Sequence, residues 1–279
     1  MIDMHMHIGK LYIGEAPLTP EYLLDFMDSH GIERACIQPI ESPEETHYYV
    51  TTDYVIDVCS RFDRLIPFCN LDPRHGPADT TFDSYAVLKD YADRGVKGFG
   101  ECMSGLWIDD PRYEKIYDAC GKLSLPIVFH MDTRRMRDDL GLHRMERMAH
   151  TYPDTIFVGH AQHFWAEISG DCTPDDFSAY PNRPITSGGA TVRLLRDCPN
   201  IYADISAGSG FNAFTRDPEF GFAFFDEFQD KLMFGTDICR NDQEFPIFDY
   251  LADARSTGKL SETAYRKIAT DNAIRVFNL

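Results

Sequence analysis

A single-domain (β/α)₈ barrel over residues 1–279 is the fold this sequence predicts, and three observations carry the prediction. Short β-rich runs alternate in strict order with amphipathic stretches, the units number eight, and residues with metal-ligand chemistry recur at the ends of the runs. A chain of 279 residues also suits one barrel, whose usual length is about 250 residues.

Taken in order, the strands are expected at 2–8, 34–40, 65–71, 96–101, 126–131, 155–160, 201–206 and 232–237. The helices that follow them are expected at 20–30, 51–62, 81–94, 112–123, 141–151, 190–197 and 219–230, with a closing helix at 261–277. Each helix opens near Thr, Asp or Pro and ends near Gly or Pro, as helix boundaries do. The segment TFDSYAVLKDYADR at 81–94 shows the apolar spacing well and is stopped by Gly95. A doubly wound open sheet is the alternative, but no GxGxxG opens the first unit. One long connection, 161–189, holds Pro174, Pro181, Pro184 and the pair Gly188-Gly189, so it is expected to be a shaped surface loop at the active site.

Composition narrows the function. Hydrophobic residues are 43% and charged residues 26%, enough to bury a substantial core. A net charge of −18 without any run of Lys or Arg argues against nucleic acid as a partner. No apolar stretch is long enough for a membrane span and MIDMHMHIGK lacks the features of a secretion signal, so a cytoplasmic location is expected. The eight cysteines Cys36, Cys59, Cys69, Cys102, Cys120, Cys172, Cys198 and Cys239 form no CxxC pair, which fits a reduced compartment and core packing rather than a cysteine-held zinc.

Six residues fall at the C-terminal ends of the expected strands: His5 and His7, Glu101, His130, His160 and Asp237. In a barrel these ends ring one mouth, where active sites lie. Glu101 and His130 are 29 residues apart and His130 and His160 are 30, each about one βα unit. His5 and His7, two apart on a strand, present both imidazoles to one face. Singly, each has an ordinary alternative: Glu101 and Asp237 can cap turns, and His130 and His160 can be hydrogen-bonded core residues. Their joint placement points to a metal centre.

With DxHxH at Asp3–His7, the strand-end histidines of VFHMD and VGHAQ, YADISAGSG at 202–210 and FGTD at 234–237, the chain resembles the metal-dependent amidohydrolase superfamily. The resemblance is to its amidohydrolase-related branch, which includes aminocarboxymuconate semialdehyde decarboxylase. It implies a distorted (β/α)₈ barrel with one or two divalent cations at the mouth, usually zinc, with manganese as an alternative. Two-metal relatives often carry a carboxylated lysine on the fourth strand; Lys97 lies about 13 Å below the mouth at roughly 3.3 Å per residue, too far to bridge. Glu101 in its GE motif looks instead like the bridging glutamate of TatD-type and some phosphotriesterase-like members, although the acidic charge disfavours nuclease activity.

The resulting expectation is that His5, His7, Glu101 and Asp237 hold one cation and Glu101, His130 and His160 a second. Asp237 would take the proton of the activated water and pass it to the leaving group of an amide, ester or lactone. If one cation binds, the ligands become His5, His7, His130 and Asp237, and His160 becomes an acid/base residue. A decarboxylase or hydratase acting on a small carboxylated compound is the competing class; a noncatalytic metal-binding barrel is the third. His163 is expected near the substrate. Arg183, Arg216 and Arg240 are candidates to grip a substrate carboxylate, with surface ion pairs as the alternative. Trp107 and Trp165 can wall the pocket or pack the core. The partner expected is a small molecule, with homo-oligomers possible.

Overall fold

The computed structural model describes residues 1–42, 44, 47–74 and 82–279. Eight parallel strands run in chain order: β1 (Ile2–Met6), β2 (Arg34–Ile37), β3 (Leu65–Pro67), β4 (Phe99–Cys102), β5 (Ile127–His130), β6 (Phe157–His160), β7 (Ile201–Asp204) and β8 (Leu232–Met233). They form two ladders, β1-β2-β3 and β4-β5-β6-β7-β8. Bridges at both seams join the ladders, Cys69 with Phe99 on one side and Met6 with Ile238 on the other. Asp237 N donates to His5 O at 2.8 Å and His7 N to Ile238 O at 3.1 Å, so the ring closes beside the first strand. A closed (β/α)₈ barrel leaves no sheet edge unpaired.

Around it lie α1 (Pro20–His30), α2 (Thr52–Cys59), α3 (Ser84–Asp93), α4 (Pro111–Leu123), α5 (His143–Thr151), α6 (Ala161–Ala166), α7 (Ala190–Asp197), α8 (Ala207–Thr215), α9 (Pro218–Glu227), α10 (Ile247–Ser256), α11 (Glu262–Arg266) and α12 (Asn272–Phe277). Side-chain caps explain several starts: Thr19, Thr51, Asp83, Asp110, Asp217 and Ser261 each accept a first-turn amide. Gly31 closes α1 in the left-handed conformation at φ 67°.

The period-2 pattern sorts the strand side chains into two layers. Phe129, Phe157, Ile127, Ile201 and Ala203 face outward into the large core shared with the helices. Val128, Val158 and Tyr202, each two residues before a strand end, gather instead with Phe68 and with Phe277 of the closing helix. This second layer is the floor beneath His130, His160 and Asp204.

All eight expected strands form, most of them shorter than the runs that announced them; Glu101, His130 and His160 stay within their strands, while His7 and Asp237 lie beyond theirs. The helix expected from Thr81 starts at Ser84, and Thr81 lies outside the described residues. Three helices went unforeseen, α6, α8 and α10. The segment AGSGFNAFT of α8 has two glycines, which disfavour a helix, and it holds because its buried face packs on α6 and α9. The α10 segment lies in what reads as a link between β8 and the closing helix. The connection at 161–189 opens with the buried helix α6 and contains a single 3₁₀ turn at Pro174–Asp176, and the closing helix is interrupted by a π-turn at Lys267–Asp271.

Phe157 is fully buried and stacks on Phe129 with ring centroids 5.7 Å apart. Truncating it to alanine should destabilise the barrel by about 3–5 kcal/mol in chemical denaturation; a loss under about 1 kcal/mol would show that this layer is not tightly packed.

Candidate metal centre

The site is assembled from strand ends that local backbone features hold in place. Asp3 is buried below His5, where it accepts His5 N at 2.9 Å, Thr236 N at 3.1 Å and Thr236 Oγ1 at 2.7 Å, tying β1 to the segment after β8. Burial pushes the Asp3 carboxyl up to about 7 against those hydrogen bonds. Glu101 follows Gly100, whose φ of 141° and approach to Val128 leave no room for a side chain: a Cβ there would meet Val128 O at 2.9 Å. Asn70 Nδ2 holds Glu101 O at 2.7 Å. Asp237 adopts the left-handed conformation at φ 56°, a strained state that aspartate tolerates better than most residues, and Gln243 Nε2 donates to its carbonyl at 2.8 Å.

Four donor atoms converge. His5 Nε2 and His7 Nε2 are 3.2 Å apart. Glu101 Oε2 lies 3.6 Å from the first and 3.4 Å from the second. Asp237 Oδ1 lies 3.5 Å and 3.3 Å from the same two nitrogens. Four ligands arranged tetrahedrally at zinc bond lengths stand about 3.3–3.5 Å from one another. The residues therefore fit one divalent cation as they stand. Beside this group a second one, Glu101, His130 and His160, also brings its ligand atoms together. Here Glu101 Oε1 faces His160 Nε2 at 3.6 Å and His130 Nδ1 at 2.6 Å.

The arrangement carries an electrostatic cost: the carboxylates of Glu101, Asp204 and Asp237 crowd among four imidazoles, all of them buried except the partly covered Asp237 and His130. Burial alone would raise the Glu101 carboxyl, yet the adjoining rings of His130 and His5, acting electrostatically and through hydrogen bonds, hold it well below the usual range. Asp204 and Asp237 are depressed against burial in the same way, by His160 and His5 together with their hydrogen bonds. Burial would lower the imidazoles, but Glu101, Asp237 and Asp204 lift His5 well above its ordinary value. Asp204 and Asp237 likewise lift His160 to about 9. Protons on the rings thus do what a cation would do.

The other expected site residues lie elsewhere in the hydrogen-bond network. His163 is buried, stacks on Phe177 with centroids 3.5 Å apart and faces Glu167 at 3.3 Å. Arg183 pairs with Asp171 and Asp176, and Arg240 is exposed beside Asp242. Arg216 is half-buried, with long bonds to Pro181 O and Asn212 Oδ1. Trp107 is sandwiched by Arg137 and Arg144, whose guanidinium carbons stand 4.8 and 4.2 Å from the ring centre. Trp165 packs in the core and donates Nε1 to Asp204 O at 3.0 Å.

Three contributors were not singled out from the sequence. Asp204 ends β7 and faces His5 Nδ1 and His160 Nδ1 at 2.7 and 3.1 Å. Its signal was available in part, because it falls in the last half of the strand expected at 201–206, near the same end as the other six. Gln38 O accepts from His7 Nδ1 at 3.1 Å, a backbone role that leaves no trace in residue type. Arg135 Nη1 donates to His130 Nε2 at 3.0 Å and pairs with Asp132; it lies in a run of arginines, TRRMR, that gives no hint which one turns inward.

A family model described as amidohydrolase matches residues 2–279. The chain belongs to the amidohydrolase family. It is accordingly an enzyme of the amidohydrolase superfamily, with the barrel that family implies. No curated protein matches its sequence. Among solved structures, an amidohydrolase from Burkholderia multivorans with bound zinc superposes with a TM-score of 0.65 at 12% identity, over 100% of this chain and 99% of the other. A probable 2-pyrone-4,6-dicarboxylic acid hydrolase from Acinetobacter baumannii gives 0.63 at 13% identity, again over 100% and 99%. The 2,6-dihydroxybenzoate decarboxylase from Rhizobium gives 0.61 at 17% identity over the same shares. At these identities the likeness speaks for the fold.

The raised imidazoles set the sign of a pH effect. Below about 9 the metal-free protein carries a proton on His160, and a cation taking that nitrogen must displace it. Zinc affinity measured by competition should therefore rise between about pH 6 and about pH 8, with proton release visible by calorimetry in buffers of different ionisation enthalpy. Affinity independent of pH over that interval would contradict the charge balance described above.

Proposed function

We propose that this amidohydrolase hydrolyses a small-molecule amide, ester or lactone at a divalent-metal centre, with zinc as the metal and manganese as a substitute. The observation that carries the reading is the orientation of Glu101: Oε2 faces His5 and His7, while Oε1 faces His130 and His160. One carboxylate turned to two sets of donors suits a bridge between two cations. His5, His7, Glu101 and Asp237 would hold one, and Glu101, His130 and His160 the other. Bound there, such cations supply Lewis acidity for the substrate carbonyl and lower the pKa of a water toward neutrality.

The chain's own groups supply the proton transfers. Asp237 is kept ionised by its neighbours and is only partly covered, with 18% of its side chain accessible, so its carboxylate is placed to accept a proton from the attacking water. The same carboxyl then returns that proton to the leaving group. His160 stands 3.6 Å from Asp237 Oδ2 and steadies its charge. A cytoplasmic setting agrees with eight free cysteines, seven of them buried. Among the described residues no helix is long and apolar enough to cross a membrane.

A second reading, a one-cation carbon–carbon lyase, is favoured by a specific contact. At 2.6 Å the His130–Glu101 pair is at hydrogen-bond distance, and Arg135, which can only donate, faces the other ring nitrogen. That arrangement puts the His130 proton on Nδ1, leaving no lone pair there for a second cation. The decarboxylase among the structural neighbours belongs to this reaction class.

Metal content separates the two. The hydrolase reading predicts two equivalents of zinc in the wild-type protein, a loss of at least one in Glu101→Gln, and turnover of a member of a library of lactones, esters and N-acyl amino acids. A single equivalent unaffected by Glu101→Gln would remove it. In either case His5→Ala/His7→Ala should abolish both zinc binding and turnover.

A further inference from the structure

We infer that Asp204 is a positioning residue that orients His5 and His160 together, so that one buried carboxylate serves both halves of the centre. The inference rests on the metal-centre reading above. Asp204 is fully buried at the end of β7. Its Oδ2 lies 2.7 Å from His5 Nδ1 and 3.1 Å from His160 Nδ1, and it accepts Ser206 Oγ at 2.7 Å. Ser206 N donates to Asp204 Oδ1 at 2.9 Å, and Trp165 Nε1 donates to the Asp204 carbonyl at 3.0 Å.

An ionised carboxylate accepts and cannot donate, so His5 must present Nδ1–H to it. His160 Nδ1 faces the same oxygen and stands 3.2 Å from Ser206 Oγ, whose own hydrogen goes to Asp204, so this ring too must carry its hydrogen on Nδ1. With Nδ1–H fixed in this way, Nε2 of each ring is the atom pointed at the centre, and its lone pair becomes available when a cation displaces the second proton. For His5 that atom is the one 3.2 Å from His7 Nε2. For His160 it is a buried nitrogen with no hydrogen-bond partner among the described residues. A buried ring nitrogen without a hydrogen-bond partner is a costly feature, and a cation would satisfy it. The two rings belong to different ligand groups, yet they hang from the same oxygen.

The packing behind Asp204 is equally specific. Gly235 sits against it so closely that a Cβ there would lie 3.0 Å from both Asp204 Oδ1 and His5 Cβ. The segment after β8 thus forms a wall that keeps carboxylate and imidazole in register. His7 provides an internal contrast, because its Nδ1–H is taken by the backbone carbonyl of Gln38 and owes nothing to Asp204.

The test is Asp204→Asn, which keeps the shape but removes the charge and turns one oxygen into a donor. Histidine side-chain ¹H–¹⁵N spectra of the wild-type chain should show hydrogen-bonded Nδ1–H signals for His5, His160 and His7, metal-free and zinc-loaded alike. In Asp204→Asn the His5 and His160 signals should shift or vanish while that of His7 stays. The zinc dissociation constant should rise about 10–100-fold. Unchanged zinc affinity with unchanged spectra would overturn the assignment. So would a zinc-loaded wild-type spectrum in which Nδ1 of His5 or His160 is the ligating nitrogen, since Asp204 would then be a ligand itself. Failure of the wild-type protein to bind zinc would sink the metal centre instead, and the metal-free Nδ1–H signals would still decide the role of Asp204, whether or not the variant folds.

Discussion

Three carboxylates and four imidazoles gathered in one barrel mouth, most of them fully buried, are the constraint on which the rest of the structure depends. Isolated charges of this kind are expensive to bury, and they persist only when paired or when they coordinate a cation. Glu101, Asp204 and Asp237 remain ionised against burial because the rings stand beside them, and His5 and His160 are lifted above their ordinary range because the carboxylates stand beside them. The protein balances the charge with protons that a divalent cation can displace. A core that only had to be stable would have no reason to collect these groups.

The barrel answers this constraint by separating support from chemistry. Its outer layer packs aromatic and aliphatic side chains against the helices, and the inner layer around Phe68, Val128, Val158 and Phe277 closes the floor. Rigid strand ends then deliver the polar residues from five or more directions. Where the backbone must deviate to aim a group it does so at few positions, Gly100 before Glu101 and the left-handed Asp237 among them. Hydrogen bonds from Asp204, Gln38 O and the Asp3–Thr236 pair fix the rings and the two seam strands in turn.

Much of this could be read from the residues alone. Period-2 runs and capped amphipathic stretches mark the eight units, and the number of units between His7, Glu101, His130, His160 and Asp237 puts the six candidates, His5 included, at one end of the barrel. The parts that stayed hidden share a physical reason. Helix α8 depends on tertiary packing that overrides poor local propensity, and Gln38 acts through its backbone. Arg183, Arg240 and Trp107 have the chemistry of substrate contacts, but ion pairs and cation–π contacts claim them on the surface. Arg135, indistinguishable in sequence from its neighbours, is the arginine that reaches His130. Asp204 was visible as the end of a strand, yet its hold on two rings follows only from the register that sets β7 between β6 and β8.

The most direct measurement is anomalous diffraction at the zinc absorption edge from crystals of the zinc-loaded protein. The expected result is a peak enclosed by His5 Nε2, His7 Nε2, Glu101 and Asp237, at about 2.0–2.2 Å from each ligand atom. A map without a peak among these four residues, from crystals that hold zinc elsewhere, would contradict the assignment of the barrel mouth as a metal centre.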